Sequence, residues 1–176
     1  ILYWMQASQR VKYNQGLNYA IKQANKLNQP LLVFFGLTDN FPEANARHYY
    51  FMLEGLKEVK DKLKERNIKM IIQKINPHKG VINLADKASL VVVDRGYLKI
   101  EKQWRKKVAE NISIPLIQIE SNTVIPVETA SDKEEYAAYT LRKKIESKLD
   151  DYLQPVETPD INISSVNKSI FKSDSY

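Results

Sequence analysis

Along the chain, short unbroken apolar runs alternate with stretches in which apolar residues recur every three or four positions. Runs of the first kind suit strands covered on both faces, and stretches of the second kind suit helices with one inward face. Residues 1–5 (Ile-Leu-Tyr-Trp-Met), 31–35, 68–73, 90–94 and 115–119 are the five predicted strands. After the first strand, Leu17, Ala20, Ile21, Ala24 and Leu27 share one face of a helix that Ser8 is placed to cap. Tyr49, Met52, Leu53, Leu56 and Leu63 form the inner stripe of a second helix over residues 44–66. Asn76-Pro77 opens a third, short helix with proline at its first position, and Val81, Ile82, Ala85 and Ala88 face inward. Ile100, Trp104 and Val108 repeat on a fourth. Ser131 and Glu134 have capping-box spacing and predict a last helix running to Leu153.

Strands separated by helices predict an α/β domain, a Rossmann-like three-layer sandwich with a five-stranded parallel sheet and right-handed crossovers. Such sheets bind ligands beyond the carboxyl ends of their strands, where the strand order switches. That rule directs attention to segments 5–10, 35–41, 94–98 and 120–129. The domain is expected over residues 1–153. Residues 154–176, with Pro155, Pro159 and many serines and asparagines, read as a linker.

At 176 residues, 43% hydrophobic and 27% charged, the composition is that of one globular domain. No apolar run reaches the length of a membrane span. The net charge of +6 is uneven: the segment from Asp150 onward carries −3 and the body +9. A basic body favours an anionic partner such as DNA, but the lysines of 57–66 alternate with acids, as on a solvated helix face. The chain has no cysteine, which removes disulfides, thiolate catalysis and cysteine-ligated zinc. A reducing, cytoplasmic setting fits.

Candidate chemistry is sparse. The five glycines form neither GxGxxG nor a Walker loop. His48 and His78 lie on different predicted helices without an evident metal partner. Asp94 ends the purest buried strand, a position that suits either a functional carboxylate or a turn former. Trp4, Met5, Phe35 and Phe41 sit at or near strand ends, where they either fill core or line a pocket for a flat apolar ring. No catalytic residue and no metal ligand is assigned.

Four segments resemble class II cyclobutane-pyrimidine-dimer DNA photolyases. They are Tyr3-Trp4-Met5-Gln6-Ala7-Ser8-Gln9-Arg10-Val11 with Asn14, and Arg47-His48-Tyr49-Tyr50-Phe51-Met52-Leu53-Glu54-Gly55-Leu56 with Glu58. The third is Val91-Val92-Val93-Asp94 followed by Gln103-Trp104. The fourth runs from Asn122-Thr123-Val124-Ile125-Pro126-Val127 through Ala130-Ser131-Asp132-Lys133-Glu134-Glu135-Tyr136-Ala137 to Thr140-Leu141-Arg142-Lys143-Lys144-Ile145. The chain departs from the family at Ala7-Ser8, usually Arg-Asp, at Glu128, usually tryptophan, and at Ala138-Tyr139, commonly Ala-Arg.

The resemblance implies the N-terminal α/β domain of a light-driven DNA repair lyase, a fragment that is not catalytic alone. In that family a helical C-terminal domain of the same parent chain holds FAD and the damaged DNA. The α/β domain can hold an antenna chromophore, a deazaflavin in several members. Position at predicted strand ends or facing helix starts then makes Met5, Gln6, Gln9, Arg10, Phe35, Arg47, Met52 and Asp94 the candidates for binding such an antenna. Contact with DNA is expected through the parent, weak or none alone, and no membrane is involved. A stand-alone flavin- or nucleotide-binding module, and a structural or interaction domain of a diverged relative, are the alternatives.

Overall fold

The computed structural model describes residues 1–156, 158–167 and 174. Five parallel strands form one sheet in the order β3-β2-β1-β4-β5. They are β1 (Leu2–Trp4), β2 (Leu32–Leu37), β3 (Lys69–Lys74), β4 (Val91–Asp94) and β5 (Leu116–Ile119). Trp4 pairs in register with Phe34 on one side and Val93 on the other, so β1 is central. The predicted α/β sandwich is the observed one.

Alternation along each strand divides the core into two layers. Tyr3, Met5, Val33, Phe35 and Val92 point to one face, where α1 (Gln15–Lys26) and α2 (Ala46–Glu65) cover them with Leu17, Ile21, Leu56 and Leu63. Leu2, Trp4, Phe34, Val91 and Val93 point to the other, beneath α3 (Pro77–Ala85) and α4 (Lys99–Asn111), which bring Val81, Trp104 and Val108. Helix α3 lies close enough to β2 that a Cβ on Gly80 would stand 2.2 Å from Phe34 Cζ. Only glycine fits there, and adding even a methyl group overpacks the layer, at about 1–3 kcal/mol.

Two helix starts differ from the sequence expectation, each for an identifiable reason. Ser8 does not cap α1. Its backbone N–H, with those of Gln6 and Ala7, is drawn to the Asp94 carboxylate, and the chain turns until Asn14 caps the helix by accepting from Leu17 N at 2.9 Å. Ser131 opens no helix either. Its hydroxyl donates to Glu135 Oε1 at 2.7 Å and accepts from Lys144 Nζ at 3.0 Å, leaving the backbone in a turn. The single last helix becomes α5 (Val127–Ala130), α6 (Ala138–Glu146) and α7 (Leu149–Tyr152).

The segment read as a linker, 154–176, includes residues 157, 168–173, 175 and 176, which lie outside the described residues. Its described part lies along the domain. Ser165 is 3% exposed, donates to Leu31 O at 2.6 Å and accepts from Lys69 N at 2.8 Å. Ile161 packs on the α1–α2 layer. Among the described residues, no helix is long and apolar enough to cross a membrane.

Candidate functional site

The strand order reverses between β1 and β4, because the chain builds outward from β1 to β3 and then returns to the other side. The loops after β1, β2 and β4 therefore diverge and leave a crevice at the carboxyl rim. Its floor is set by Asp94, the last residue of β4, only 2% exposed. Asp94 Oδ2 accepts from the backbone N–H groups of Gln6, Ala7 and Ser8 at 3.0, 2.9 and 2.7 Å. Its Oδ1 accepts from the Tyr3 hydroxyl at 2.5 Å. Burial pushes the carboxyl pKa up while these four donors pull it down, and the net is upward; burial, with the neighbouring carboxylate, pushes the Tyr3 phenol well up. Asp94 thus ties the loop after β1 to the end of β4.

Above this floor lies a cleft of about 380 Å³, within the range of small-molecule sites. One wall is Gln6, whose amide accepts from Trp4 Nε1 at 2.8 Å and donates to Gly36 O at 3.2 Å. A second wall is the loop after β2. Tyr49 of α2 pins it by donating from its hydroxyl to Thr38 O at 2.8 Å and accepting from Phe41 N at 3.3 Å. Phe41 then meets Trp104 of α4 edge-on, with ring centroids 6.1 Å apart. Phe35, Met52 and Leu98 add apolar surface. His48 accepts from Asn45 N on Nδ1 at 3.1 Å, closing a reciprocal cap with Asn45.

The charged edge of the cleft follows β4. Arg95 forms a bidentate pair with Glu128 and lies 4.0 Å from Glu120. The Tyr97 phenol is pushed up to about 12, by burial first and then by its bond to Glu120. Glu120, against the upward push of its own burial, is held below the usual range by Tyr97, Thr123 and Val127 N. Glu101 accepts from Leu98 N at 3.0 Å and lies across Gly96, where a Cβ would stand 2.2 Å from its Oε2. Among the described residues that line the cleft, Arg95 is the one lysine or arginine and Glu101 the one acid.

The eight residues singled out from sequence divide evenly. Gln6, Gln9, Phe35 and Met52 line the cleft. Met5 is fully buried in the α1–α2 layer beneath it. Arg10 stands behind Asn122, donating to Asn122 Oδ1 at 3.0 Å and to the carbonyls of Tyr13 and Ser121. Arg47 is exposed on α2 and does not line the cleft, and Asp94 lies below the floor. Tyr49, Arg95, Tyr97 and Trp104 line it without having been chosen. Segments 35–41 and 94–98 pointed to this rim, but Trp104 read as core because its spacing with Ile100 and Val108 suits a buried stripe.

Aromatic and thioether walls, with the Gln9 and Asn122 amides at the edge, suit a planar ring system held by stacking and a few hydrogen bonds. No group of three metal-ligating side chains occurs among the described residues.

A family model for DNA photolyase matches residues 1–160. The chain is 47% identical, over 167 residues, to the deoxyribodipyrimidine photo-lyase of Methanothermobacter thermautotrophicus, across 95% of this chain and 38% of that one. It is 32% identical to the enzyme of the same name from Arabidopsis thaliana, across 87% of this chain and 32% of that one. The chain spans only about a third of the length of these curated relatives. Among solved structures, it superposes on an archaeal photolyase from Sulfolobus tokodaii containing two FAD molecules, with a TM-score of 0.72 and 18% identity. That match covers 98% of this chain and 40% of the other.

Proposed function

The chain belongs to the DNA photolyase family as an N-terminal α/β domain, and on that premise we propose that it holds a light-harvesting ring, a deazaflavin, in the cleft at the switch of its sheet. The observation that carries this reading is the cleft itself: about 380 Å³, walled by Phe35, Tyr49, Met52 and Trp104 at the place where such sheets take ligands. Phe35, Met52 and Trp104 would pack on the ring, while Gln9 and Asn122 would meet its polar edge. A ring bound there would supply light absorption and excitation transfer. The protein's own part is to fix the ring's position and keep water from its faces. The Sulfolobus tokodaii photolyase, whose two FAD molecules imply a novel light-harvesting cofactor, supports a flavin-type antenna on this fold.

In the same reading, residues 1–153 are the domain and 154–176 lead toward a helical domain of the parent that carries FAD and engages damaged DNA in the cytoplasm. DNA repair then belongs to the parent, and this chain alone binds DNA weakly, without sequence preference and with strong salt sensitivity. Titration of the 176-residue chain with a deazaflavin tests the cleft assignment. A saturable absorbance shift with one ring per chain is expected. No spectral change and no retention in dialysis at saturating ligand would refute it.

A further inference from the structure

Helix α6 differs from α1, α2, α3 and α4 in having no buried residue. It is nine residues long, too short for a helix to persist in water on propensity alone. The polar ties that hold it run from Lys144 to Ser131 and Glu135, and from Lys148, just past its end, to Thr129 O. Its apolar side chains Leu141 and Ile145 lie one turn apart and are only half-buried.

Those two side chains line a groove of about 530 Å³ together with α5 and the loop before it. Ile125 and Ala130, 6% and 8% exposed, form its floor. Val124 and Val127, 52% and 44% exposed, rise beside them. An open apolar groove on a folded domain marks a contact surface. One bounded by a helix takes the apolar face of another helix, whose side chains enter at intervals of three and four residues.

Two facts point to what fills it. All six of these positions lie within the residues that match the photolyase family, and the chain spans only about a third of the length of its curated relatives. Most of a protein of that kind therefore lies beyond residue 176. The groove also adjoins the cleft: Asn122 lines one and Thr123 the other, and Glu128 of α5 pairs with Arg95 at the cleft edge. A domain seated in the groove stands beside a ring held in the cleft, as excitation transfer between them requires.

We infer that the groove between α5 and α6 is the seat of the parent's helical domain, which inserts an apolar helix face between Val124 and Leu141 and completes the burial of α6. The inference rests on the reading of this chain as the N-terminal part of a two-domain parent, and adds the surface by which the second domain is held.

Hydrogen exchange in α6, compared between the 176-residue chain and the full-length parent, tests it. In the parent the α6 amides exchange about tenfold more slowly or slower still, because the second domain must leave before they open. Val124→Glu places a charge on an exposed wall of the groove. The 176-residue chain carrying it unfolds at the wild-type temperature, whereas in the parent it removes the added protection of α6. Leu141→Glu, on the facing wall, removes it too. Equal exchange in parent and 176-residue chain, or protection that survives both substitutions, overturns the inference and leaves the two-domain parent standing. A 176-residue chain that dimerises, and that Val124→Glu returns to monomer, also overturns it, since a second copy then fills the groove. A reading frame that stops at residue 176 overturns the inference and the two-domain reading together, so the two failures are distinguishable.

Discussion

The Tyr3 hydroxyl and the Asp94 carboxylate meet at 2.5 Å across the β1–β4 pair, both out of water. A charge in that position is tolerable only because three backbone N–H groups share it with the phenol. Removing the carboxylate leaves the backbone N–H groups of Gln6, Ala7 and Ser8 without their acceptor. Asp94→Ala is expected to lose about 3–5 kcal/mol of stability in urea unfolding. Asp94→Asn costs less, because its amide oxygen still accepts from the loop and Tyr3 can turn its hydroxyl to Asn14, already 3.1 Å away. An Ala variant within about 1 kcal/mol of wild type would show that the loop is held by other means.

Both tryptophans of the chain belong to the cleft: Trp104 lines it, and the Trp4 indole N–H is bonded to the Gln6 amide in its wall. A bound ring that absorbs in the near ultraviolet therefore lies beside both emitters. Intrinsic fluorescence should fall steeply and in step with occupancy measured by dialysis. Ring binding that leaves tryptophan emission untouched places the ring elsewhere on the surface.

Glu135 anchors α6 through Lys144 at 2.5 Å and through Ser131. The bond from Lys144 first, then those from Ser131 and Thr140, holds its carboxyl at about 2, against an ordinary value of 4.5. The folded state thus gives up this proton more readily than the unfolded one. Its stabilisation is complete above pH 4.5 and is lost as pH falls from there toward about 2. Hydrogen exchange in α6 should accelerate over that interval in the wild type, and E135Q should abolish the dependence. Equal pH profiles for the two would contradict the assignment.

Ser165 bonds the chain's late segment to the domain through Leu31 and Lys69, and its own N–H donates to Asn67 O at 3.0 Å. Ser165→Ala strands a buried carbonyl and a backbone N–H, and should cost about 1–3 kcal/mol in thermal unfolding. An unchanged melting temperature would mean that residues 158–167 do not dock in solution.

The sheet was legible because every strand is covered on both faces, which leaves unbroken runs such as Leu90-Val91-Val92-Val93 that no amphipathic helix would show. The rim was legible in outline because topology alone puts ligands there. What the chain did not disclose was where its polar groups go. Ser8 has the residue type of a cap, but Asp94, 86 residues later, competes for its N–H and wins. Asp94 and Arg10 look like ligand-facing groups at strand ends, yet both are consumed holding loops. Trp104 carries the opposite ambiguity: helical spacing marks it as core, and it is 6% exposed, yet its ring still forms part of the cleft wall. Long-range hydrogen bonds decide these roles, and periodicity carries no trace of them.

The most direct test of the cleft as a chromophore site fills it from within. Ala44 is half-buried on its lining, so Ala44→Trp occupies the space without entering the core. Equilibrium dialysis with a deazaflavin should give one ring per wild-type chain and none for A44W, with the circular dichroism of the two proteins alike. Equal binding by both proteins, or no binding by either, would contradict the account.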